Sequence, residues 1–579
     1  MKTILLFLLL SVISLVSIDA QTYQKSVSSN DQRHFHDLNT EPANDGTGDY
    51  FVAGNLFDSS MQIYTPFIKR LDNTGNVIWL KTYTSSLPNA RIFDIQPYRI
   101  LGLPNEVAIT GSIDVGGVKN VFIAKIDAVT GALVGAKNYA IPSPNLNSIG
   151  LHISYVFNDA NGDGINEEGF VVGGFYSDSY NLSTTARNTG FVLRVYSTLG
   201  VFWVAEVNSA STNQDFDAVN SITETNDGYF LTGSTNHVAT SQFSILAQKI
   251  DFQGTMIWNR SHVFGNSQDV SVDAYFDTAS QQIYMLSNYS VTHLFGVTVL
   301  DNVTGAISFP QSWYAVANEL NRYGFTIMES RQNPNNLVIT GYDRDENWTA
   351  SGSNYFGQSN LFVYEFDKSN GNPIATNYQY LVQHSEPSGD EFNFWNGQMP
   401  FIFYPDISFG AINAAGEANY YHVGYKTDPA INFTEADLFK TPVNKVNECD
   451  QIDLSINVNP VNFDPVEVIT ALTSYIDDNL PFNATDLPYI ISDCATTLTI
   501  IDNNLEEGSL YPNPANDYVF TTARDASTYS LYDNLGRNIM SGTLLNDRSV
   551  YIGDLPKGMY IISIANEQGT RSTYKLIKE

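Results

Sequence analysis

The feature that most constrains this chain is a short pattern that recurs along most of its length. In its clearest copy, an apolar strand (residues 228–234) is followed by a strand of alternating polarity (245–251). A tight turn then leads to a further short strand (254–258). Copies of the apolar strand return roughly every 55 to 60 residues, with a longer last interval. Aligned on one position, the copies centre on Gly54, Gly111, Gly173, Gly233, Ser287, Gly341 and Gly424. A period of this size indicates an array of seven supersecondary units.

Each unit reads as four strands, because another short apolar segment precedes the central one and no helical period is sustained. Turns of the form Asp-x-x-Gly follow the alternating strand, and such turns are typical of hairpins. Four-stranded units in radial repetition predict an all-β fold, a seven-bladed β-propeller, over residues 21–500. Residues 23–26 resemble the outer strand at 80–83, so we expect residues 22–27 to close the ring in the last blade. The remaining strands of that blade are expected within residues 437–500.

Large aromatic residues often follow these turns. Trp79, Trp203 and Trp258 are examples. At this spacing we predict that they pack between units and do not form a ligand-binding box.

Charge and composition exclude some classes of partner. The formal net charge is −32, apolar residues make up 43 % and aromatic residues 13 %. A strongly negative field repels phosphate backbones and anionic lipids, so nucleic-acid and membrane-surface binding are disfavoured. Such a field attracts divalent cations, but solubility outside the cell is the simpler explanation of the charge.

The first twenty residues have the pattern of a signal peptide. Lys2 precedes an apolar run over residues 4–16, and Ala20 offers a small residue at the cleavage point. No later run reaches the ~18 apolar residues that a membrane helix needs. We therefore expect a secreted or cell-surface protein without a transmembrane segment.

The chain has only two cysteines, Cys449 and Cys494. An even pair in an exported chain predicts one disulfide, closing a loop of about 45 residues and contributing roughly 3–4 kcal/mol. The alternative is two separate buried thiols.

A different pattern begins after a linker at residues 501–508. Four motifs follow in order over residues 509–579, with their distinctive positions at Tyr511, Pro512, Asn513, Pro514, Asp517, Asp533, Gly536, Arg537, Gly558, Tyr560, Lys575 and Leu576. This segment resembles the type A C-terminal sorting domain of the type IX secretion system of Bacteroidota. The resemblance implies an immunoglobulin-like β-sandwich, recognition by the type IX secretion machinery, and removal on export. An ordinary carbohydrate-binding sandwich is the alternative. The rest of the chain resembles generic repeat propellers, which implies no activity.

The sharpest local motif lies in residues 159–168. Its oxygen-bearing side chains alternate, with a glycine after the third, and this spacing can wrap a hard cation. The predicted Ca²⁺ ligands are Asp159, Asn161, Asp163, Ile165 through its carbonyl, and Glu167. Strands flank the loop and the twelfth position is Phe170, so it resembles the calcium hairpins of integrin-type propellers. A polar hairpin turn without a metal is the alternative.

Two long insertions carry aromatic residues among polar ones. Trp348, Tyr355 and Trp395 could stack on a glycan or contact a protein partner. Packing of the loops on themselves is the alternative.

These features favour a non-enzymatic binding or adhesion propeller, with no catalytic residues assigned and with a glycan or protein ligand. A secreted propeller hydrolase or lyase acting on polysaccharide is the alternative. The sequence contains no Gly-x-Ser-x-Gly elbow, phosphate loop or His-Glu-x-x-His motif. An enzyme would need convergent Asp, Glu or His side chains at the central channel, and we expect only aromatic residues and backbone there.

Overall fold

Every regular element in the described part of the chain is a β-strand. A computed structural model describes residues 23–29, 34–43, 45, 47–58, 61, 63–85, 89–98, 105–143, 145–177, 188–208, 217–236, 243–262, 269–289, 294–308, 312–316, 321–330, 333–344, 359–374, 378–380, 407–409, 419–428, 433–442, six short segments between 451 and 493, 510–522, 526–532, 537–545, 547–566 and 571–579. Those residues include no helix that is long and apolar enough to cross a membrane. The chain divides into two compact units, residues 1–494 and 495–579.

The first unit contains seven antiparallel sheets, and six of them are built from four consecutive strands. These are β2 (His34–Pro42), β3 (Tyr50–Asp58), β4 (Ile63–Leu71) and β5 (Val77–Ser85) in sheet 1; β6 (Arg91–Tyr98), β7 (Glu106–Val115), β8 (Val118–Asp127) and β9 (Leu133–Ala140) in sheet 2; β10 (Asn147–Asn158), β11 (Glu167–Ser177), β12 (Asn188–Tyr196) and β13 (Val201–Asn208) in sheet 3; β14 (Ala218–Glu224), β15 (Tyr229–Asn236), β16 (Phe243–Ile250) and β17 (Met256–His262) in sheet 4; β18 (Asp269–Asp277), β19 (Gln282–Tyr289), β20 (Leu294–Asp301) and β21 (Trp313–Val316) in sheet 5; and β22 (Asn321–Glu329), β23 (Asn336–Arg344), β24 (Ser359–Asp367) and β25 (Tyr378–Tyr380) in sheet 6.

Sheet 7 combines the two ends of the repeat array. It contains β26 (Ile407–Phe409), β27 (Asn419–Asp428) and β28 (Phe433–Pro442), with β1 (Tyr23–Ser29) as its fourth strand. The pairing of β1 with β28 is antiparallel and places Ser26 opposite Asp437. The N-terminal strand thus completes the sheet formed by the last repeat.

The seven aligned sequence positions all fall in the second strand of a sheet, from β3 to β27. In sheets 2, 4, 5 and 6 the aligned residue pairs with the residue that precedes a β-bulge of the first strand, as Gly111 does with Ile92. In sheet 3 that place is taken by Gly174, one residue after the aligned Gly173. At the bulge the two backbones approach closely. A Cβ atom on Gly111 would lie 1.9 Å from the carbonyl oxygen of Arg91, so only glycine fits there.

The core lies between neighbouring sheets. In sheets 1 to 6 the second and third strands are largely buried on both faces, as β7 and β8 illustrate. First strands pack against one another in order, with β6 against β10, β10 against β14, and β14 against β18, while β2 contacts both β6 and β27. This antiparallel, face-to-face arrangement of small sheets is consistent with a propeller-like fold.

Tryptophans join neighbouring sheets by one repeated contact. The indole Nε1–H of Trp79, Trp203 and Trp258 donates to a turn carbonyl of the next sheet, at Ala128, Phe252 and Asn302 respectively. Each ring also lies over the glycine of that turn, which has positive φ, as with Trp258 over Gly305. The predicted packing role of these tryptophans is confirmed.

A segment after β28 adds outer strands to six of the sheets. We call residues 451–493 the belt; its strands are β29 (Gln451–Asp453), β30 (Asn457–Pro460), β31 (Ile469–Leu472), β32 (Ile476–Asn479), β33 (Phe482–Asp486) and β34 (Tyr489–Asp493). They pair in turn with the outer strands of sheets 6, 5, 3, 2, 1 and 7. Of the strands described within residues 437–500, β34 and the second half of β28 belong to sheet 7, where the last blade was expected, and the other belt strands pair with five other sheets.

The second unit has two sheets. One contains β35 (Leu510–Tyr511), β36 (Tyr518–Thr521) and β39 (Ser549–Tyr551), and the other contains β37 (Ala526–Tyr532), β38 (Asn538–Thr543), β40 (Gly558–Asn566) and β41 (Arg571–Lys578). Its core includes Val519, Leu531, Ile562 and Leu576, which come from both sheets.

Candidate functional site

The predicted metal loop connects β10 to β11 in sheet 3. The side chain of Asp159 organises the loop, because its Oδ1 accepts hydrogen bonds from the amides of Gly162 (2.6 Å) and Asp163 (3.2 Å), and its Oδ2 accepts one from Gly164 (2.8 Å). Gly162 and Gly164 both have positive φ, which glycine adopts without strain. Desolvation tends to raise the pKa of Asp159, but these amides outweigh it and lower the pKa below the usual value.

Three of the five predicted ligands come together. One carboxylate oxygen from each of Asp159, Asp163 and Glu167 lies within 4.8 Å of the other two. Asn161 sits among them, but its Nδ2 faces the acids and donates to Asp163 Oδ2 (3.1 Å) and Glu167 Oε1 (2.9 Å). Ile165 contributes its amide to Asp163 Oδ1 (2.8 Å). The arrangement concentrates negative charge at one exposed point of the loop.

A residue from the neighbouring sheet also supports this loop. Gln253, in the turn between β16 and β17, donates from Nε2 to the carbonyl oxygen of Asp159. Sequence reasoning missed this contact because Gln253 is far from the loop in the chain. Only its place in an Asp-x-x-Gly turn that packs on the preceding sheet could have indicated it.

A second polar cluster lies on the first strands of four successive sheets. Asp94, His152, Ser221 and Asp273 each directly follow the β-bulge of their strand. His152 Nδ1 is 3.1 Å from Asp94 Oδ2, and its Nε2 is 2.8 Å from Ser154 Oγ. Ser221 Oγ donates to Asp273 Oδ1 over 3.0 Å. The position after the bulge therefore joins neighbouring first strands through polar side chains.

The two aspartates of this cluster are held in the same way. Asp94 accepts the amides of Ile95 (2.8 Å) and of Ile153 in the next sheet (2.7 Å). Asp273 accepts hydrogen bonds from the amide of the following residue, Ala274 (2.8 Å), and from the amide of Ile327 in the next sheet (2.9 Å). Each carboxylate thus bridges two sheets.

Charge in this cluster depends on pH. Burial tends to lower the pKa of His152, but the hydrogen bond and charge of Asp94, with the charge of Asp273, outweigh it and raise the pKa above its usual value. Burial raises the pKa of Asp273 to about 6, although the amides of Ile327 and Ala274 and the His152 charge act in the opposite direction. We call the first strands of the sheets, which pack against one another, the inner strands, and these ionisable groups lie on them.

The sorting motifs meet within the second unit. Asn513 Nδ2 donates to the carbonyl of Lys575 (2.6 Å) and its Oδ1 accepts the amide of Ile577 (2.9 Å), so the first motif is bonded to the last strand. The carbonyl of Asp517 accepts the amide of Ile552 (2.8 Å), and Tyr560 Oη donates to the carbonyl of Pro556 (2.8 Å). Leu576 is fully buried in the core.

Several predicted residues lie outside the described residues. They are residues 1–20, Trp348, Tyr355, Trp395, Cys449, Cys494, the linker 501–508, Asp533 and Gly536.

Residues 509–579 match the family described as the secretion system C-terminal sorting domain. The match covers the second sheet-forming unit and the motifs that led to the resemblance. The chain is therefore a secreted or cell-surface protein of the kind exported by type IX secretion in Bacteroidota, and its tail implies handling by that machinery. No curated protein matches the chain.

Two solved structures illustrate a distant similarity. A puromycin hydrolase is 10 % identical, with a TM-score of 0.33 and 68 % of this chain covered. An acylaminoacyl peptidase from Pyrococcus horikoshii is 12 % identical, with a TM-score of 0.29 and 67 % of this chain covered. The aligned part spans 59 % and 57 % of those two proteins. Scores this low carry no argument about activity.

Proposed function

We propose that this protein is a secreted or cell-surface binding propeller, non-enzymatic in its main role, that recognises a glycan or protein ligand. The observation that carries the proposal is the combination of a type IX sorting tail with seven small sheets whose first and last strands share sheet 7. In this proposal the sheets are the blades of a closed seven-bladed propeller, and the tail is an immunoglobulin-like sandwich. Blade loops then present a ligand surface outside the cell.

The belt supports closure of the ring. Its strands follow the sheets in the order 6, 5, 3, 2, 1, 7, opposite to the order of the chain, and among the described residues none pairs with sheet 4. The step from sheet 1 to sheet 7 is expected for a ring in which these two sheets are neighbours. Paired outer edges are also protected from association with other chains.

We propose further that Cys449 and Cys494 form a disulfide that closes the belt. In the sequence, Cys449 comes shortly before β29 and Cys494 directly after β34, so the two cysteines bracket the belt and would meet where sheets 6 and 7 adjoin. Peptide mapping under non-reducing conditions tests the bond. A linked pair of peptides is expected, and two free thiols on the secreted protein would refute it.

We propose that the 159–167 loop binds Ca²⁺. Three carboxylates converge there, and hydrogen bonds from backbone amides to Asp159 hold the loop in shape. Binding to the folded state alone raises stability by about 2.7 kcal/mol at a hundredfold excess over Kd. Calorimetry with Ca²⁺ should give heat of binding, and Ca²⁺ should raise the Tm. Asp163→Ala should abolish both, whereas Asp301→Ala, which changes a turn aspartate outside the carboxylate group, should keep them. No heat with the wild-type protein would exclude the site.

The ligand surface is proposed to include Trp348, Tyr355 and Trp395, because aromatic side chains among polar residues suit stacking on sugars. A glycan array and a pull-down with the secreted protein test this. Loss of a bound glycan or partner in the triple alanine variant would support it. Unchanged binding would remove these residues from the site.

One observation favours the alternative of a secreted propeller hydrolase or lyase. Asp94, His152 and Asp273 place ionisable groups on the inner strands, where an enzyme of this shape needs them. A polysaccharide-depolymerisation screen tests this alternative. Release of sugars, lost in His152→Gln, would support it, and no release across the screen would leave binding as the function.

A further inference from the structure

A serine, a histidine and an aspartate are hydrogen-bonded in series on the inner strands. Ser154 Oγ is 2.8 Å from His152 Nε2, and His152 Nδ1 is 3.1 Å from Asp94 Oδ2. One imidazole thus bridges a hydroxyl and a carboxylate through its two nitrogens. This is the order of nucleophile, base and orienting acid, which is recognised by geometry and not by position in the sequence.

The strands account for this geometry. His152 and Ser154 are two residues apart on β10, so their side chains point to the same face of the strand. Asp94 comes from β6 of the preceding sheet, where the bulge before it redirects its side chain. The amides of Ile95 and Ile153 hold its carboxylate in place before any ligand arrives. The orienting group is therefore preorganised by two sheets.

The series is partly open to solvent. The side chains of His152 and Asp94 are 24 % and 17 % exposed, and Ser154 is partly buried. Ser154 Oγ is hydrogen-bonded to His152 Nε2. Asp273 of β18 is the other charged group that acts on His152, and Ser221 of β14 binds that aspartate. Two carboxylates near the imidazole favour neutral or cationic reactants over anionic ones.

We propose that Ser154 is a nucleophile activated by His152, with Asp94 as a positioning residue, and that it gives the inner strands acyl-transfer activity toward small neutral or cationic esters. Ser154 Oγ attacks the ester carbonyl carbon while its proton moves to His152 Nε2. The ester C–O bond then breaks, and the alcohol leaves with that proton. Water attacks the acyl-serine in the same way and releases the carboxylic acid. This activity goes beyond ligand binding and does not depend on it.

Covalent labelling tests the nucleophile directly. A fluorophosphonate probe forms an Oγ–P bond with an activated serine and releases fluoride. We expect the full secreted chain to carry one adduct, mapped by mass spectrometry to Ser154. Labelling should fall at least a hundredfold in Ser154→Ala and His152→Gln. Ser148→Ala, which changes a serine of the same strand whose hydroxyl donates to the carbonyl of Tyr139, should label like wild type. No adduct at Ser154, or equal labelling in His152→Gln, would overturn the proposal.

The role of Asp94 needs a readout that folding alone does not change. The labelling rate should rise with pH as His152 loses its proton, with a midpoint above the usual histidine value because Asp94 and Asp273 raise its pKa. Asp94→Asn should move this midpoint down and lower the plateau rate at least tenfold, with circular dichroism unchanged. An unchanged midpoint and plateau would show that Asp94 does not act through His152. Hydrolysis of p-nitrophenyl acetate should follow the same order of variants, whereas glycan binding should not.

Discussion

Substituting Gly111 by alanine tests whether the backbones of β6 and β7 approach closely at the bulge. This close approach is our explanation for the repeated glycine. An added Cβ would lie 1.9 Å from the carbonyl oxygen of Arg91 and 2.9 Å from its carbonyl carbon. Ordinary contact for such atoms is above 3 Å, so β6 and β7 would have to separate by more than 1 Å at this point. Both contacting atoms belong to the backbone and cannot rotate away.

The cost follows from the bonds that such a shift breaks. Losing two ladder hydrogen bonds of about 1 kcal/mol each, and the packing of the buried strands beside them, destabilises the protein by about 3–4 kcal/mol. Gly135 of β9, in the same sheet, is the matched control because a Cβ there meets nothing within 4 Å. Alanine at that position should be neutral or stabilise by up to about 1 kcal/mol.

Urea unfolding of the two variants beside wild type measures this difference. Gly111→Ala should lower the midpoint with little change in slope, and Gly135→Ala should not. Equal stability of the two variants would refute the close approach, and with it the reason that glycine recurs in the second strands.

Three further predictions concern the sheet contacts, the inner cluster and the tail. Trp258 is 6 % exposed, so Trp258→Ala should lower the free energy of unfolding in urea by about 3–5 kcal/mol. Trp258→Phe chiefly loses the hydrogen bond to Asn302 and should lower it by about 1–2 kcal/mol. Equal effects of the two variants would contradict the hydrogen bond. Because the pKa of Asp273 is raised to about 6, its ionisation lowers the free energy of unfolding by up to about 3 kcal/mol as pH rises from 4 to 6. Asp273→Asn should therefore flatten the curve of stability against pH in that window. An unchanged slope would contradict the pKa shift. Asn513→Ala removes the acceptor of the Ile577 amide and should speed its hydrogen exchange about tenfold, while exchange at the buried Ile562 stays as in wild type. Unchanged exchange at Ile577 would contradict the link between the first motif and the last strand.

The parts of the fold that could be predicted from the sequence are those set by local chemistry. The second strands could be predicted because most of them carry a glycine or serine at or next to the same place, opposite a bulge of the first strand. The convergence of Asp159, Asp163 and Glu167 could be predicted because the three residues lie in one short loop. The belt was missed because its short strands have no period of their own and pair with partners between 71 and 468 residues away.

The inner cluster was missed for a related reason. Asp94, His152 and Asp273 come from different sheets, and each alone looks like an isolated polar residue in an apolar strand. Their shared position after a bulge was the available signal, but the bulge itself is visible only from the pairing of two strands.

Closure of the ring through the N-terminal strand is the central claim, and an engineered disulfide tests it most directly. Ser26 and Asp437 are register partners in β1 and β28, so Ser26→Cys combined with Asp437→Cys should form a bond that peptide mapping detects in the secreted protein. Ser26→Cys combined with Thr434→Cys is the control, because three residues along a strand add ~10 Å and no bond can form. A disulfide between positions 26 and 437 in the first variant, and none in the control, is the predicted result. No link in the first variant, with the protein folded, would contradict the closed ring.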